Sequence, residues 1–225
     1  MDNALIWILF MIFDLSMVIL AYKLFGKIGL YGMITMSIIV ANLQVLKLVE
    51  IFGITITLGN IIYGSIFLST DLLSEFYGKK EAKKGVWLGF FVLVITTVYM
   101  QIALSFTPSA DDFAHTHMVG LFSFLPRVVL GSLVAYLLSQ QHDVWLYNLL
   151  KKRFNDKHLW LRNNMSTWIS QLIDSLVFCS IAFFGIFSTS VFLQILITTY
   201  VFKLIVAIVD TPFIYFAKYV LGKQT

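Results

Sequence analysis

Six ionisable side chains stand inside apolar runs long enough to cross a bilayer: Asp71, Glu75, Arg127, Asp174, Lys203 and Asp210. A charge at membrane depth costs about 2.5–3.5 kcal/mol on insertion scales. Such groups normally face a bundle interior or a wet cavity and mark a path for substrate or protons. Gln171, Asp174 and Phe178 follow i, i+3, i+7, with Ser175 beside them. An amide, a carboxylate, a hydroxyl and a ring on one helical face can hydrogen-bond a polar edge and stack on a flat ligand. Interhelical hydrogen bonding is the alternative use of the same groups. Phe67, Asp71 and Glu75 share another face at i, i+4, i+8. Glu75 precedes Lys79 by four residues, which places it at the interface and offers that lysine as partner; Asp71 is one turn deeper. Lys203 must be compensated or titrate, and Asp174 is the first candidate partner, Asp71 the second. Asp210 follows it by seven residues on the same face, and Pro212 is placed to bend the helix just after. Arg127 heads a four-residue repeat with Gly131, Ala135 and Ser139. The three small residues form a stripe that lets helices approach closely. The guanidinium suits a carboxylate, either on a substrate or on a neighbouring helix.

The elements that carry these groups follow from composition. The chain has 225 residues, 59% hydrophobic and 12% charged, with mean hydropathy +0.87. A soluble domain averages about 25% charged residues, so residues 1–225 read as a single polytopic transmembrane domain: an all-α integral membrane bundle of six to seven helices. With about 20 apolar residues per crossing, the spans fall near 4–23, 29–50, 53–76, 85–107, 119–140, 166–188 and 190–217. Basic residues follow alternate spans, at Lys23 and Lys27, at Lys79 to Lys84, at Lys151 to Arg162, and at Lys218 and Lys223. The other ends hold Asp2, Glu50, Asp111-Asp112 and a Ser188-Thr189-Ser190 turn. That alternation puts the amino terminus outside and the carboxyl terminus in the cytoplasm. The third span is rich in Gly, Thr and Asn and is expected to be partly unwound, which only a cavity or surrounding protein tolerates. Beyond the fifth span, Trp145 to Phe154 should continue the helix at the headgroup zone.

Several chemistries are excluded or weak. There is no G-x-x-x-x-G-K-[ST] loop, no H-E-x-x-H and no G-x-S-x-G, so neither ATP hydrolysis nor a familiar hydrolase is indicated, and no cofactor is implied. The loop from Asp111 to His117 carries potential metal ligands, but exposed residues of this kind usually hold no ion. Cys179, the single cysteine, excludes an internal disulfide and suits packing. The first segment lacks a basic n-region and a cleavage site and is expected to be retained. The net charge of +4 reflects the loop pattern; it does not call for nucleic acid.

The string from Phe67 to Lys80 (FLSTDLLSEFYGKK), followed by Ala82-Lys83-Lys84 and Gly89-Phe90, resembles the bacterial queuosine precursor transporter family. Three further stretches agree in order: Ala41-Asn42-Leu43 with Lys47 and Gly53; Arg127 with Ser132, Ala135, Ser139-Gln140 and Asp143; and Ser170 to Ser175 with Phe178, then Lys203 with Asp210-Thr211-Pro212. Gly64 departs from the pattern, where the family often has Pro. The resemblance covers roughly residues 41–219. It implies import of 7-cyano- or 7-aminomethyl-7-deazaguanine across the bacterial inner membrane for tRNA queuosine salvage, by a facilitator or secondary carrier. Its cargo suits the residues: carboxylates accept paired N–H groups of a guanine-like edge, Gln171 and Asn42 meet mixed donor and acceptor sites, and Phe67, Trp168 or Phe178 can stack. The expected substrate-binding set is Asn42, Phe67, Asp71, Arg127, Gln171, Asp174, Ser175 and Lys203. The partners are then a small deazapurine and the bilayer, with homo-oligomerisation open. Two alternatives stand beside this reading. One is the membrane subunit of a vitamin importer driven by a separate ATPase. The other is a seven-helix retinal photoreceptor, against which Thr199 stands four residues before Lys203, where microbial rhodopsins typically carry Asp.

Overall fold

The computed structural model describes residues 2–154, 159–209 and 211–222. Asp210 and Lys223 lie outside them. The first helix, α1 (Asn3–Gln44), begins at Asp2, whose carboxylate accepts the Ala4 N–H. Forty-two helical residues would extend about 63 Å if straight. Instead Asn3 Nδ2 donates to the Glu50 carbonyl at 2.9 Å, so the helix must double back. It does so at Gly26, whose φ of 54° and ψ of −132° break the helix. The turn is tight: a Cβ on Gly29 would come within 2.2 Å of the Ala21 carbonyl oxygen, so only glycine fits. α1 is therefore two antiparallel crossings, as the first two expected spans require.

The second crossing ends at Gln44, short of the expected Glu50. The chain then forms an antiparallel hairpin, β1 (Leu48–Ile51) and β2 (Ile54–Thr57), with Leu48 opposite Thr57 and Ile51 opposite Ile54. Both turn residues, Phe52 and Gly53, have positive φ, which the tight two-residue hairpin demands. A single helical turn at Leu58–Asn60 leads into α2 (Tyr63–Tyr77). The expected span at 53–76 is thus helical only from Tyr63, and its 15 residues cover about 22 Å, less than the hydrocarbon core. The expected partial unwinding is present and takes the form of the hairpin.

The remaining elements are α3 (Lys79–Leu104), α4 (His115–Phe122), α5 (Leu125–Arg153), α6 (Leu159–Phe183), α7 (Thr189–Val209) and α8 (Thr211–Phe216), with a final π turn at Ala217–Leu221. α5 continues through Trp145 to Arg153, as expected. Among the described residues five helical stretches are long and apolar enough to cross a membrane. The doubling of α1 and the hairpin-plus-α2 unit bring the crossings to seven. The surface agrees with a bilayer environment: Phe91, Tyr99 and Ile208 are 61%, 68% and 71% exposed. Large apolar groups stand outward in this way along most helices, an arrangement water would oppose and lipid accommodates.

Two apolar cores hold the bundle. The larger runs from Trp7, Leu15 and Tyr22 of α1 through Leu68 and Leu72 of α2 to Val86 and Leu93 of α3. The smaller joins Val128 and Ala135 of α5, Phe178 and Ala182 of α6, and Ile195 of α7. α5 and α6 form the most extensive helix pair, and the Gly131 stripe explains why: a Cβ there would meet the Phe178 carbonyl at 3.4 Å.

Candidate functional site

Polar side chains collect where the two cores meet. Six of the seven crossings' elements, α1, α2, α3, α5, α6 and α7, wall a cavity of about 310 Å³. Its most polar corner is built by Asp174 and Lys203, one from α6 and one from α7. The Lys203 ammonium forms an ion pair with Asp174 Oδ2, the pairing expected first from the sequence. Ser139 Oγ of α5 donates to the other carboxylate oxygen at 3.3 Å. The ammonium also lies 4.6 Å from the Tyr63 ring centroid, a cation–π contact from the start of α2. Lys203 is 1% exposed, so the carboxylate and the ring together are what permit a cation there.

Beside the pair, Gln171 offers a buried Oε1 with no partner among the described residues. A buried acceptor of this kind is normally satisfied, and here a bound N–H donor would do so. Asn42 is more committed. Its Nδ2 donates to the Ile38 carbonyl at 2.7 Å and its Oδ1 accepts from Ser132 Oγ at 2.6 Å. The walls are aromatic: Phe67 stacks near Tyr63 with centroids 6.3 Å apart, Phe90 tilts on Tyr136 at 5.1 Å, and Phe178 meets Phe183 edge to face at 5.7 Å. A few convergent polar groups within aromatic walls are the usual composition of a small-molecule site.

Of the expected set, Asn42, Phe67, Asp71, Gln171, Asp174 and Lys203 line the cavity. Arg127 and Ser175 do not. Arg127 Nε donates to the Ile181 carbonyl at 2.5 Å and its terminal nitrogen to the Phe184 carbonyl at 2.6 Å. It satisfies orphan carbonyls at the end of α6 and meets no carboxylate among the described residues. Ser175 is fully buried, and its Oγ has no partner among the described residues. Trp168, the third stacking candidate, is 47% exposed and off the cavity, leaving Phe67 and Phe178. Glu75 pairs with Lys218 at 2.6 Å, not with Lys79, because α8, which leads into the final π turn, packs on α2. That carboxylate raises the Lys218 pKa.

Tyr63, Ser132 and Tyr136 also line the cavity. Ser132 and Tyr136 are four apart on α5, immediately after Gly131 and Ala135, so the packing stripe itself locates the adjacent lining face. Asp14 is a further buried charge, 5% exposed on α1, whose carboxylate accepts the Ser65 N–H at 3.2 Å at the start of α2. Its signal lies in the buried stripe Trp7, Met11, Asp14, Val18.

The ends of the bundle differ in charge and closure. At one end Glu81 accepts from Tyr31 Oη at 2.5 Å and from Lys84 at 2.7 Å, and also pairs with Lys27; Tyr22 Oη donates to the Gly222 carbonyl at 2.8 Å. Lys79 and Lys83, at this end, reach the cavity lining. At the other end the Thr55 N–H donates to Gln194 Oε1 at 3.0 Å, tying the hairpin to α7. None of the described residues of the hairpin, α4 or the α6–α7 turn lines the cavity.

A seven-crossing bundle whose crossings enclose a cavity with a few convergent polar groups is an arrangement that transporters use. Residues 57–217 match the model of the family described as "Putative vitamin uptake transporter". The chain belongs to this family. It is 48% identical over 219 residues to a Bacillus subtilis protein named "Probable queuosine precursor transporter", covering 97% of this chain and 96% of that one. A Haemophilus influenzae protein of the same name is 29% identical over 161 residues, 70% of this chain and 66% of the relative. The Escherichia coli "Queuosine precursor transporter" is 27% identical over 191 residues, 84% of this chain and 83% of the relative. No solved structure matches the chain.

Proposed function

We propose that the protein imports 7-deazaguanine precursors of queuosine, the cyano or aminomethyl base, across the bacterial inner membrane as a facilitator or secondary carrier. The carrying observation is the cavity at the meeting of the two cores, which sets Asp174, Gln171 and Asn42 among Phe67, Tyr63 and Phe178. Such a base presents adjacent N–H donors on one edge, for which Asp174 Oδ1 and the partnerless Gln171 Oε1 are acceptors. The ring then lies against aromatic faces, worth about 1–3 kcal/mol per nucleobase. Near 310 Å³, the cavity is at the small end of ligand sites and suits one bicyclic base. The names of the three relatives support this substrate.

The clustering of Lys27, Lys79, Lys83, Lys84 and Lys218 at one end supports a cytoplasmic assignment for it. In that orientation the cavity faces the cytoplasm and the hairpin closes the outer end. Cysteines at 80 and 112 in a Cys179→Ala background test the orientation. An impermeant thiol reagent added outside should label 112 alone, and labelling of 80 alone would reverse the assignment.

The substrate is tested in cells that can neither make nor import queuosine precursors. Supplied with either base, those expressing this protein should recover queuosine in tRNA. Absence of queuosine, with the protein present in the membrane, would contradict the proposal.

A further inference from the structure

Asp71 differs from the other carboxylates on the described crossings. Asp14 accepts the Ser65 N–H, Glu75 meets Lys218, Glu81 meets Lys27 and Lys84, Asp143 accepts from Ser170, and Asp174 holds Lys203. Asp71 has no hydrogen bond or ion pair among the described residues, although it lines the cavity with its side chain accessible. Nearby cations do not serve it. Lys203 is committed to Asp174 and Tyr63, and the exposed Lys79 and Lys83 at the basic mouth form no ion pair with it. Thr70, its neighbour on the lining, is also committed, its hydroxyl donating to the Ile66 and Phe67 carbonyls. Exposed in the cavity and committed to no protein group among the described residues, the carboxylate is open to a cationic group on the cargo.

We infer that Asp71 is the subsite for a protonated primary amine on the substrate, in the same cavity as the Gln171 and Asp174 groups that read the hydrogen-bonding edge. This rests on the deazaguanine reading and deepens it: among precursors that share the base, the carrier selects the one with a cationic aminomethyl arm over the one with a neutral nitrile. A primary alkylamine is protonated at neutral pH, and its ammonium donates to the Asp71 carboxylate a charge-assisted hydrogen bond that a nitrile cannot make. Phe67, one turn before Asp71 and on the same lining, adds a ring face to which a cation is attracted.

The test is competition for uptake by the full-length protein in cells, using 7-aminomethyl- and 7-cyano-7-deazaguanine against wild type, Asp71→Asn and Asp71→Glu at matched membrane levels. Wild type should half-saturate at a lower concentration of the aminomethyl base. Asp71→Asn should raise that concentration by about 10- to 100-fold, the conversion of a hydrogen bond to a charged group, and leave the cyano base within about twofold. Asp71→Glu, which keeps the charge, should retain the preference. An equal loss for both bases in Asp71→Asn overturns the inference; if that loss tracks a sodium or proton gradient, Asp71 holds a coupling cation instead. Equal wild-type affinity for the two bases also overturns it, while leaving the deazaguanine reading intact. Failure of wild type to take up either base defeats both.

Discussion

Asp174 and Lys203 are 29 positions apart in sequence and joined in the centre of the bundle. Neither charge is tolerable there without the other, so removing one should harm folding by about 3–5 kcal/mol. Lys203→Met or Asp174→Asn alone should therefore lower the folded yield sharply, and the double substitution should recover much of it. Fluorescence-detected size exclusion of the four proteins measures this, and additive losses would show that the pair is not a unit. At this scale the sequence was informative for Asp174 and Lys203, because membrane burial gives a charge in an apolar run a reason to be inside, but the same signal at Asp14 was missed. It was silent on Tyr63 and Tyr136, since an aromatic in a membrane helix has the same composition signal whether it faces lipid or a cavity. Arg127 shows the opposite error. A guanidinium can meet carbonyls as well as carboxylates, and only the end of α6 shows which it meets.

The helical crossings were legible from length and hydropathy, and the interruptions were legible only in part. Gly, Thr and Asn in the third expected span indicate weak helix, yet they do not by themselves distinguish an unwound helix from a hairpin. The alternation Ile54-Thr55-Ile56-Thr57 is the one strand signal, and four residues are short enough for the apolar run to obscure it. The turn at Gly26 was inferred from Lys23 and Lys27, charges that favour an interface. In the orientation proposed above, import from outside requires the end that the hairpin closes to open. Cysteines at Thr55 and Gln194, in a Cys179→Ala background, would turn the contact between hairpin and α7 into a covalent link. Oxidation should cut uptake at least about tenfold, with recovery under reductant, as expected when a conformational gate is locked. Full uptake by the cross-linked protein would mean that the substrate enters without hairpin movement.

At the scale of the whole molecule, two apolar cores pack their helices internally and meet along a polar seam. α5 and α7 contribute buried residues to both cores, Leu125, Val129 and Val206 to the larger and Val128, Ala135 and Ile195 to the smaller. The sequence contained the seam as scattered charges and amides, whereas the placing of the two cores depends on which helices pair, a long-range property with no local signature. The account's central claim is that the seam is the substrate site, and Gln171 tests it with the least structural disturbance. Its Oε1 makes no hydrogen bond among the described residues, so Gln171→Leu breaks no such bond of that oxygen. The measurement is saturable uptake of a labelled 7-deazaguanine precursor into liposomes containing the purified wild type or Gln171→Leu at equal folded protein. Wild type should accumulate the base, with inhibition by unlabelled precursor. The variant should half-saturate at about tenfold higher concentration, the loss of one well-placed hydrogen bond. Identical saturation curves for the two proteins would contradict the account.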